Sequence, residues 1–445
     1  MFDRLVPEAL AEAATAHLRH DGVERGAIVA WLGHNSWDML ATLVACQRLG
    51  AVLLPLNWRL AGPELAQIVE HAGAGHLVGT PECEKLAGEV LALARLAPGP
   101  AAGVQGGDLL LVYTSGTTGR PKGAMHTASA MQSNALAAIA AQGLDASHRV
   151  LSVLPLSHVG GLCIQTIPAL AVEAQVLLHP RFEPGAWFDA VAEWRPTTTL
   201  LVPAVMRALV EHPRWPQADL SSLKFVNSGS QIVPRHLIDA FHARGVPVAQ
   251  VYGCTESGPV SIVLRPDEAL AHAGHSGRPA LGVQVKLAAD GEVLLKAANL
   301  MRGYHREAES AFDADGWFHT GDLARLHDDG CYELVGRSKE LIISGGENIH
   351  PAEIENLASA WPGVAEAAVV GLGDERWGEV PVLVIVPQPG ATVDLDALRA
   401  SFDGHLARYK HPRRIVLRAV LPRTALGKVQ RPALQALLQD DPAGP

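Results

Sequence analysis

Tyr113-Thr114-Ser115-Gly116-Thr117-Thr118-Gly119-Arg120-Pro121-Lys122-Gly123 follows the apolar run 109–112, and the reading of the whole chain turns on this stretch. Hydroxyls and glycines behind a β-prone segment, closed by a lysine, suit a loop that wraps polyphosphate. Glycine lets the backbone approach closely and turn its N–H groups toward anionic oxygens, the hydroxyls add donors, and Lys122 adds a point charge. Lys122 is followed by Gly123 rather than Ser or Thr, so the stretch departs from the Walker A pattern and weakens a P-loop kinase or GTPase reading. A Ser/Thr/Gly linker is the plain alternative, and the length and order of the residues argue against it.

Around this loop, short β-rich runs alternate with helical patterns from residue 28 to residue 252, which marks parallel sheets covered by helices. Strands are expected over 28–32, 149–154, 175–179, 198–202, 224–227 and 248–252, with helices over 7–18, 36–49 and 161–172. Helix N-termini and Gly-rich turns then gather at the carboxyl ends of the strands, where ligands bind in such sheets. After residue 277 the pattern changes to short alternating strands over 283–287, 292–296, 324–326 and 332–335, the last two joined by the Asp329-Gly330 turn. From residue 339 a compact α+β unit is expected, with helices over 351–361, 394–407 and 431–438 and strands over 365–371 and 380–386. The segment 91–107, rich in Ala, Pro and Gly, reads as a loose connector.

The fold class expected is therefore α/β: a large N-terminal lobe of two helix-covered, mostly parallel sheets plus a small β-barrel subdomain, with an α+β C-terminal domain. The boundaries expected are 1–337, with the barrel-like part over about 277–337, and 338–445, joined by a hinge near Arg337 to Lys339.

Composition narrows the function. A chain of 445 residues, 48% hydrophobic, buries large cores, and a formal net charge of -10 without a long basic run argues against nucleic acid as a partner. The five cysteines lie far apart with no CxxC spacing, which suits reduced thiols in the cytoplasm. No apolar stretch reaches bilayer length, and the N-terminus lacks the pattern of a signal peptide. None of the 20 histidines falls into a zinc-ligand spacing, so no zinc site is expected.

Several further segments, in the same order and over nearly the whole chain, resemble the adenylate-forming enzymes, the superfamily of acyl-CoA synthetases, luciferases and peptide-synthetase adenylation domains. The opening loop is similar to their phosphate-binding signature, which implies that Thr114, Ser115, Gly116, Thr117, Thr118, Gly119 and Lys122 bind ATP. Tyr252-Gly253-Cys254-Thr255-Glu256 resembles the motif in which the threonine meets the α-phosphate and the glutamate holds Mg²⁺. A carboxylate is suited to that role because Mg²⁺ prefers hard oxygens shared with substrate phosphates. Ser228-Gly229-Ser230 looks like the loop beneath the adenine, with Tyr252 as the opposite aromatic surface, although the commoner pattern carries Gly-Gly or Gly-Ala there. The Asp322 of Gly316-Trp317-Phe318-His319-Thr320-Gly321-Asp322 implies a ribose contact, because a carboxylate accepts two hydrogen bonds side by side. Gly336-Arg337-Ser338-Lys339-Glu340 resembles the hinge motif, with Arg337 a second ribose or phosphate contact and Lys339 the pivot. Lys428, in Pro422-Arg423-Thr424-Ala425-Leu426-Gly427-Lys428, resembles the catalytic lysine. An ammonium bridging an attacking carboxylate and the α-phosphate lowers their repulsion most at the transition state.

The same resemblance implies a thioester half-reaction. Ser344-Gly345-Gly346-Glu347 is similar to the strand bordering the pantetheine channel, with Gly345 and Gly346 as CoA contacts. Trp377, His411 and Arg413 resemble residues that meet the CoA nucleotide. His158 resembles the aromatic gate of the acyl pocket, whose lining would be His158, Gly160, Gly161, Val202, Gly229, Tyr252 and Gly253. That mainly apolar set favours an aryl or short-to-medium acyl group. The activity implied is an ATP-dependent carboxylate:CoA ligase that makes acyl-AMP and pyrophosphate and then acyl-CoA and AMP. Its catalytic residues would be Lys428, Thr255, Glu256 and His158, with Mg²⁺ as cofactor, ATP and CoA as co-substrates and a small carboxylic acid as partner. An assembly of two copies stays open, as do two other readings: an enzyme loading a carrier protein, and a non-catalytic nucleotide or acyl-CoA sensor.

Overall fold

The computed structural model describes residues 1–114, 121–344, 347–374, 376–403, 405–424 and 427–439. The chain divides into two compact units: residues 1–231 with 240–286 and 294–319, and residues 320–445 with the segments 232–239 and 287–293.

The larger unit is built on two helix-covered sheets. The first has six strands, in the order Gly303–Tyr304, Lys122–Thr127, Asp108–Thr114, Val52–Leu56, Ile28–Leu32 and His76–Gly79. The last four run parallel, while Lys122–Thr127 is antiparallel to both of its neighbours. Every residue of Ile28–Leu32 is buried, as expected of a strand covered on both faces. Ser36 caps the helix Trp37–Leu49 by accepting from the Met39 N–H, and Gly50, at φ 69°, ends it in the left-handed region that suits glycine.

The strand Val52–Leu56 was not foreseen, because Pro55 argues against an interior strand. Pro55 lies opposite Trp31, whereas the pairing toward Asp108–Thr114 is confined to Leu53 and Leu110, so the N–H that proline lacks faces no ladder partner. The segment 91–107 also differs from expectation. It begins as the end of the helix Glu84–Leu93, and its later residues are pinned by Ala97 N–H to Ala74 C=O (3.0 Å) and Ala101 N–H to Gly26 C=O (2.9 Å).

The second sheet has seven strands, in the order Arg278–Pro279, Ile262–Leu264, Val248–Tyr252, Phe225–Gly229, Thr198–Leu201, Arg149–Ser152 and Gln175–Leu178, and is parallel from Val248–Tyr252 onward. The helix expected over 161–172 begins as a π-helical turn, Gly160–Thr166, and continues as the α-helix Ile167–Ala171. A buried polar network surrounds the wide turn. Gln165 Nε2 donates to Gln142 Oε1 (3.1 Å) and Thr198 Oγ1 (3.0 Å), and Asn227 Nδ2 donates to Gln142 Oε1 (2.7 Å). Asn134 Nδ2 donates to Cys163 C=O (2.8 Å), and Asn134 Oδ1 accepts from the Val260 N–H (3.1 Å). The helix Ala128–Gln142 is thereby tied to the strand ends and to the turn after Glu256.

The strands expected after residue 277 form a four-stranded sheet in the order Val283–Leu287, Glu292–Ala297, Phe318–Leu326 and Tyr332–Arg337. In the smaller unit a five-stranded sheet is centred on the long antiparallel pair Val364–Asp374 and Gly378–Pro387. The helix expected over 394–407 is shorter, Leu395–Ala400, capped by Asp394. Ser401 Oγ bonds back to the Leu398 carbonyl at 2.7 Å, and Phe402 turns into the core at 0% exposure. The strand Arg414–Leu417 was missed because the basic run before it reads as a solvated face; it pairs parallel to Gly378–Pro387.

Candidate functional site

Three neighbouring strands of the second sheet bring most of the expected nucleotide and acyl residues of the larger unit to one edge. Leu201 pairs with Ser228 and Gly229 with Val251, so Val202, Ser230 and Tyr252-Gly253 leave the sheet side by side at its carboxyl end. Backbone packing requires glycine at two of these positions. A Cβ on Gly229 would lie 2.2 Å from the Val251 carbonyl oxygen, and one on Gly253 would lie 1.9 Å from that of Pro259. Ser228 is wholly buried, while Ser230 takes a left-handed φ of 67°, a strained value for a residue with a Cβ. A Cβ on Gly160 would lie 3.6 Å from Ser230 Oγ, which places the expected acyl-pocket glycine against the expected adenine loop. Gly161 has no room for a side chain either, its Cβ position being 2.4 Å from the Pro155 carbonyl oxygen. His158 borders a narrow cavity with Leu56, Asn57, Tyr113 and Ser157.

The phosphate-loop residues Ser115, Gly116, Thr117, Thr118 and Gly119 lie outside the described residues. Thr114 and Lys122 are described and face each other as the end pair of their antiparallel strands, with Thr114 Oγ1 3.5 Å from the Lys122 carbonyl oxygen. Lys122 Nζ lies 5.0 Å from the ring centroid of Tyr304. The Tyr304 hydroxyl donates to Glu256 Oε1 at 2.8 Å, so one tyrosine touches both charged groups expected to handle phosphate. Thr255 and Glu256 stand on a 3-10 turn, Thr255–Ser257, closed by Gly258 at φ 89°. Ser257 Oγ accepts from the Cys254 N–H at 3.0 Å, and the Met301 N–H donates to the Glu256 carbonyl at 2.8 Å.

Two residues that the sequence did not single out support this turn. Tyr304 was missed because its partner lies 48 residues away and tertiary contacts, including Met301 N–H to the Glu256 carbonyl, bring them together. His126 is fully buried on the strand Lys122–Thr127 and hydrogen-bonds the Thr255 backbone; burial holds its pKa down to about 4. Nothing local in the sequence marks either residue.

A magnesium ion shared with nucleotide phosphates needs a hard oxygen donor that is fixed but not used up. Glu256 fits this requirement: Oε1 is occupied by Tyr304, and Oε2 has no hydrogen bond among the described residues. Burial and the adjacent Glu256 push the Tyr304 phenol far above its ordinary pKa, so it stays a donor.

In the smaller unit, Asp322 and Arg337 are a cross-strand pair, with Arg337 Nε 2.8 Å from Asp322 Oδ1. The Asp322 side chain is 10% exposed and that of Arg337 47%, so the acid is set inward with its guanidinium partner at the rim. Lys339 follows on the 3-10 turn Ser338–Glu340. Lys428 is exposed on a hairpin closed by Thr424 N–H to Lys428 C=O (2.8 Å) and Lys428 N–H to Thr424 Oγ1 (3.2 Å). Gly345 and Gly346 lie outside the described residues. Trp377 is flanked by two guanidinium groups, Arg376 at 4.9 Å and Arg413 at 5.4 Å from its ring. His411 and Arg413 border a cavity of about 460 Å³, together with Arg399, Arg408, Asp396 and Asp403.

Comparison with known proteins matches this architecture. The profile of the AMP-binding enzyme family matches residues 8–305, and that of the AMP-binding enzyme C-terminal domain matches residues 353–428. The chain is 44% identical to the indoleacetate–CoA ligase of Aromatoleum aromaticum, over 96% of this chain and 92% of that protein. It is 40% identical to the feruloyl-CoA synthase of an Amycolatopsis species, over 93% and 89% of the two chains. The fold matches that of the o-succinylbenzoate CoA synthetase of Bacillus subtilis, solved with its acyl-adenylate intermediate, at a TM-score of 0.83 and 30% identity, over 96% and 92% of the chains. The chain belongs to the AMP-binding enzyme family, as the motifs implied. Within that family it is an acyl-CoA synthetase, an acid–thiol ligase that uses ATP and CoA. Among the described residues no helix is long and apolar enough to cross a membrane.

Proposed function

We propose that this protein is a carboxylate:CoA ligase for aryl acids, that Mg²⁺ bound through Glu256 assists its adenylation step, and that Lys428 serves that step alone. The observation that carries the reading is the meeting of Lys122 and Glu256 on Tyr304, two groups 134 positions apart in sequence with the charges a triphosphate and its metal demand. Lys122 and Thr255 would hold phosphate oxygens, and Glu256 would supply one oxygen to the metal, which when bound spreads the developing charge. Ser228, Gly229, Ser230 and Tyr252 would enclose the adenine, and Asp322 with Arg337 would take the ribose.

The acid would enter beside His158 and lie near Gly160, Gly229 and Gly253, a mainly backbone-lined and apolar set that suits a ring. The indoleacetate and ferulate named for two relatives support an aryl group. Trp377, His411 and Arg413 would meet the CoA nucleotide, since a stacked indole with guanidinium neighbours suits a phosphorylated purine. Residues 338–445 would turn about Lys339 between half-reactions, bringing Lys428 for adenylation and the Gly345-Gly346 segment for thioester formation. The five free cysteines support a cytoplasmic setting.

The test is acid-dependent exchange of labelled pyrophosphate into ATP, followed by CoA thioester formation, over aromatic, branched and straight-chain acids. Aryl acids should give the highest kcat/KM. A preference for straight-chain acids would overturn the aryl assignment, and silence across the panel with folded protein would overturn the ligase itself.

A further inference from the structure

We infer that Tyr304 is a positioning residue for adenylation, holding Lys122 through its ring and Glu256 through its hydroxyl. The inference rests on the reading of this site as the ATP- and magnesium-handling centre.

The backbone around Tyr304 is fixed on every side. Arg302 N–H donates to Met125 C=O (2.8 Å), His305 N–H to Gly123 C=O (2.7 Å) and Met301 N–H to Glu256 C=O (2.8 Å), so one short segment clamps both the Lys122 strand and the Glu256 turn. Arg302 also anchors it through Asp108, with Nε to Oδ1 at 2.9 Å and Nη2 to Oδ2 at 3.0 Å, and the Asp108 side chain is fully buried. His305 Nε2 lies 3.0 Å from the Ala72 carbonyl oxygen. Tyr304 and its two partners thus share one hydrogen-bonded backbone frame.

Its two contacts do different things. The hydroxyl takes up Glu256 Oε1 and thereby fixes the direction of Oε2, leaving one oriented oxygen for a metal. A neighbour that orients a metal-binding carboxylate commonly contributes about tenfold or more to metal affinity. The ring attracts the Lys122 ammonium weakly across 5.0 Å. That is enough to keep the charge near the site and too little to compete with a triphosphate.

Tyr304→Phe removes the hydroxyl and keeps the ring, whereas Tyr304→Leu removes both. Calorimetric ATP binding in EDTA and across a Mg²⁺ series separates the two functions without requiring turnover. Tyr304→Phe should bind ATP in EDTA within about twofold of the unaltered protein, while the Mg²⁺ concentration for half-maximal tightening rises about tenfold. In the Glu256→Gln background the same change should shift the Mg²⁺ response no further. Tyr304→Leu should weaken ATP binding in EDTA as well; if it fails to fold, Tyr304→Phe alone decides.

An unchanged Mg²⁺ response in Tyr304→Phe, or an equal loss with and without Mg²⁺, would overturn the positioning role and leave a packing residue. If the unaltered protein bound ATP with no Mg²⁺ dependence, the reading of the site would fail first and take this inference with it.

Discussion

Arg431 Nε lies 2.9 Å from Glu340 Oε2, so the helix that follows Lys428 is tied to the residue beside Lys339. Arg431 Nη1 also meets Glu355 Oε1 at 2.6 Å and donates to the Val369 carbonyl at 2.9 Å. The guanidinium thus joins the turn Ser338–Glu340, the helix Pro351–Ser359 and the central strand Val364–Asp374 within the smaller unit. A turn about Lys339 would carry the Lys428 hairpin as part of a rigid piece.

Removing that guanidinium leaves two carboxylates facing each other without their cation. Arg431→Ala should destabilise the smaller unit by about 3 kcal/mol, read as a shifted melting transition in calorimetry of the whole chain, and Arg431→Lys should recover only part because it loses the forked contact. Equal melting of the alanine variant and the unaltered chain would remove the anchor from the account.

Lys428→Ala should abolish acid-dependent pyrophosphate exchange, with a loss of about a thousandfold, and spare thioester formation from supplied acyl-AMP. Single-turnover measurement of each half-reaction checks this. Equal loss in both would refute a division of labour between Lys428 and the Gly345-Gly346 face.

On the proposed reading Asp322 accepts two ribose hydroxyls, and Arg337, 2.8 Å from its Oδ1, sets its orientation. Asp322→Ala should raise the KM for ATP about tenfold or more and reduce the preference for ATP over 2′-deoxy-ATP. A variant that still discriminated between the two nucleotides as strongly as before would place the ribose elsewhere.

His126 carries a pH signature. Its folded pKa of about 4 lies below the ordinary 6.5, so between those values the unfolded chain binds a proton that the folded chain refuses. Stability is therefore fully present above pH 6.5 and falls as the pH drops toward 4, by about 3 kcal/mol across the interval. Burial lowers the pKa of His76, His179, His305 and His350 in the same direction. Urea titrations at pH 7 and pH 5 should show His126→Leu losing less stability on acidification than the unaltered chain; an identical loss would assign the effect to the other histidines.

Much of this was legible in the sequence because the chemistry is local. The expected strand ends carrying Ser228, Gly229, Tyr252 and Gly253 lie side by side as parallel pairing requires, and Asp322 and Arg337 meet because a hairpin joins them. What escaped was either non-local or disguised. Tyr304 and His126 gain their meaning from partners far away in the chain, Pro55 hides a buried strand, and a basic run conceals the start of Arg414–Leu417. The helix expected over 394–407 failed for a different reason: its pattern continues past Ala400, but Phe402 is worth more in the core than in another helical turn.

The side-chain amide of Gln142 accepts from both Gln165 and Asn227, the neighbour of Ser228. On the proposed reading, the loop that encloses the adenine thus inherits its height from the last turn of the helix Ala128–Gln142. Because Gly229 is assigned to the acyl side as well, selection for new acids in the laboratory would find gains at Gln142 and its surroundings as well as around His158.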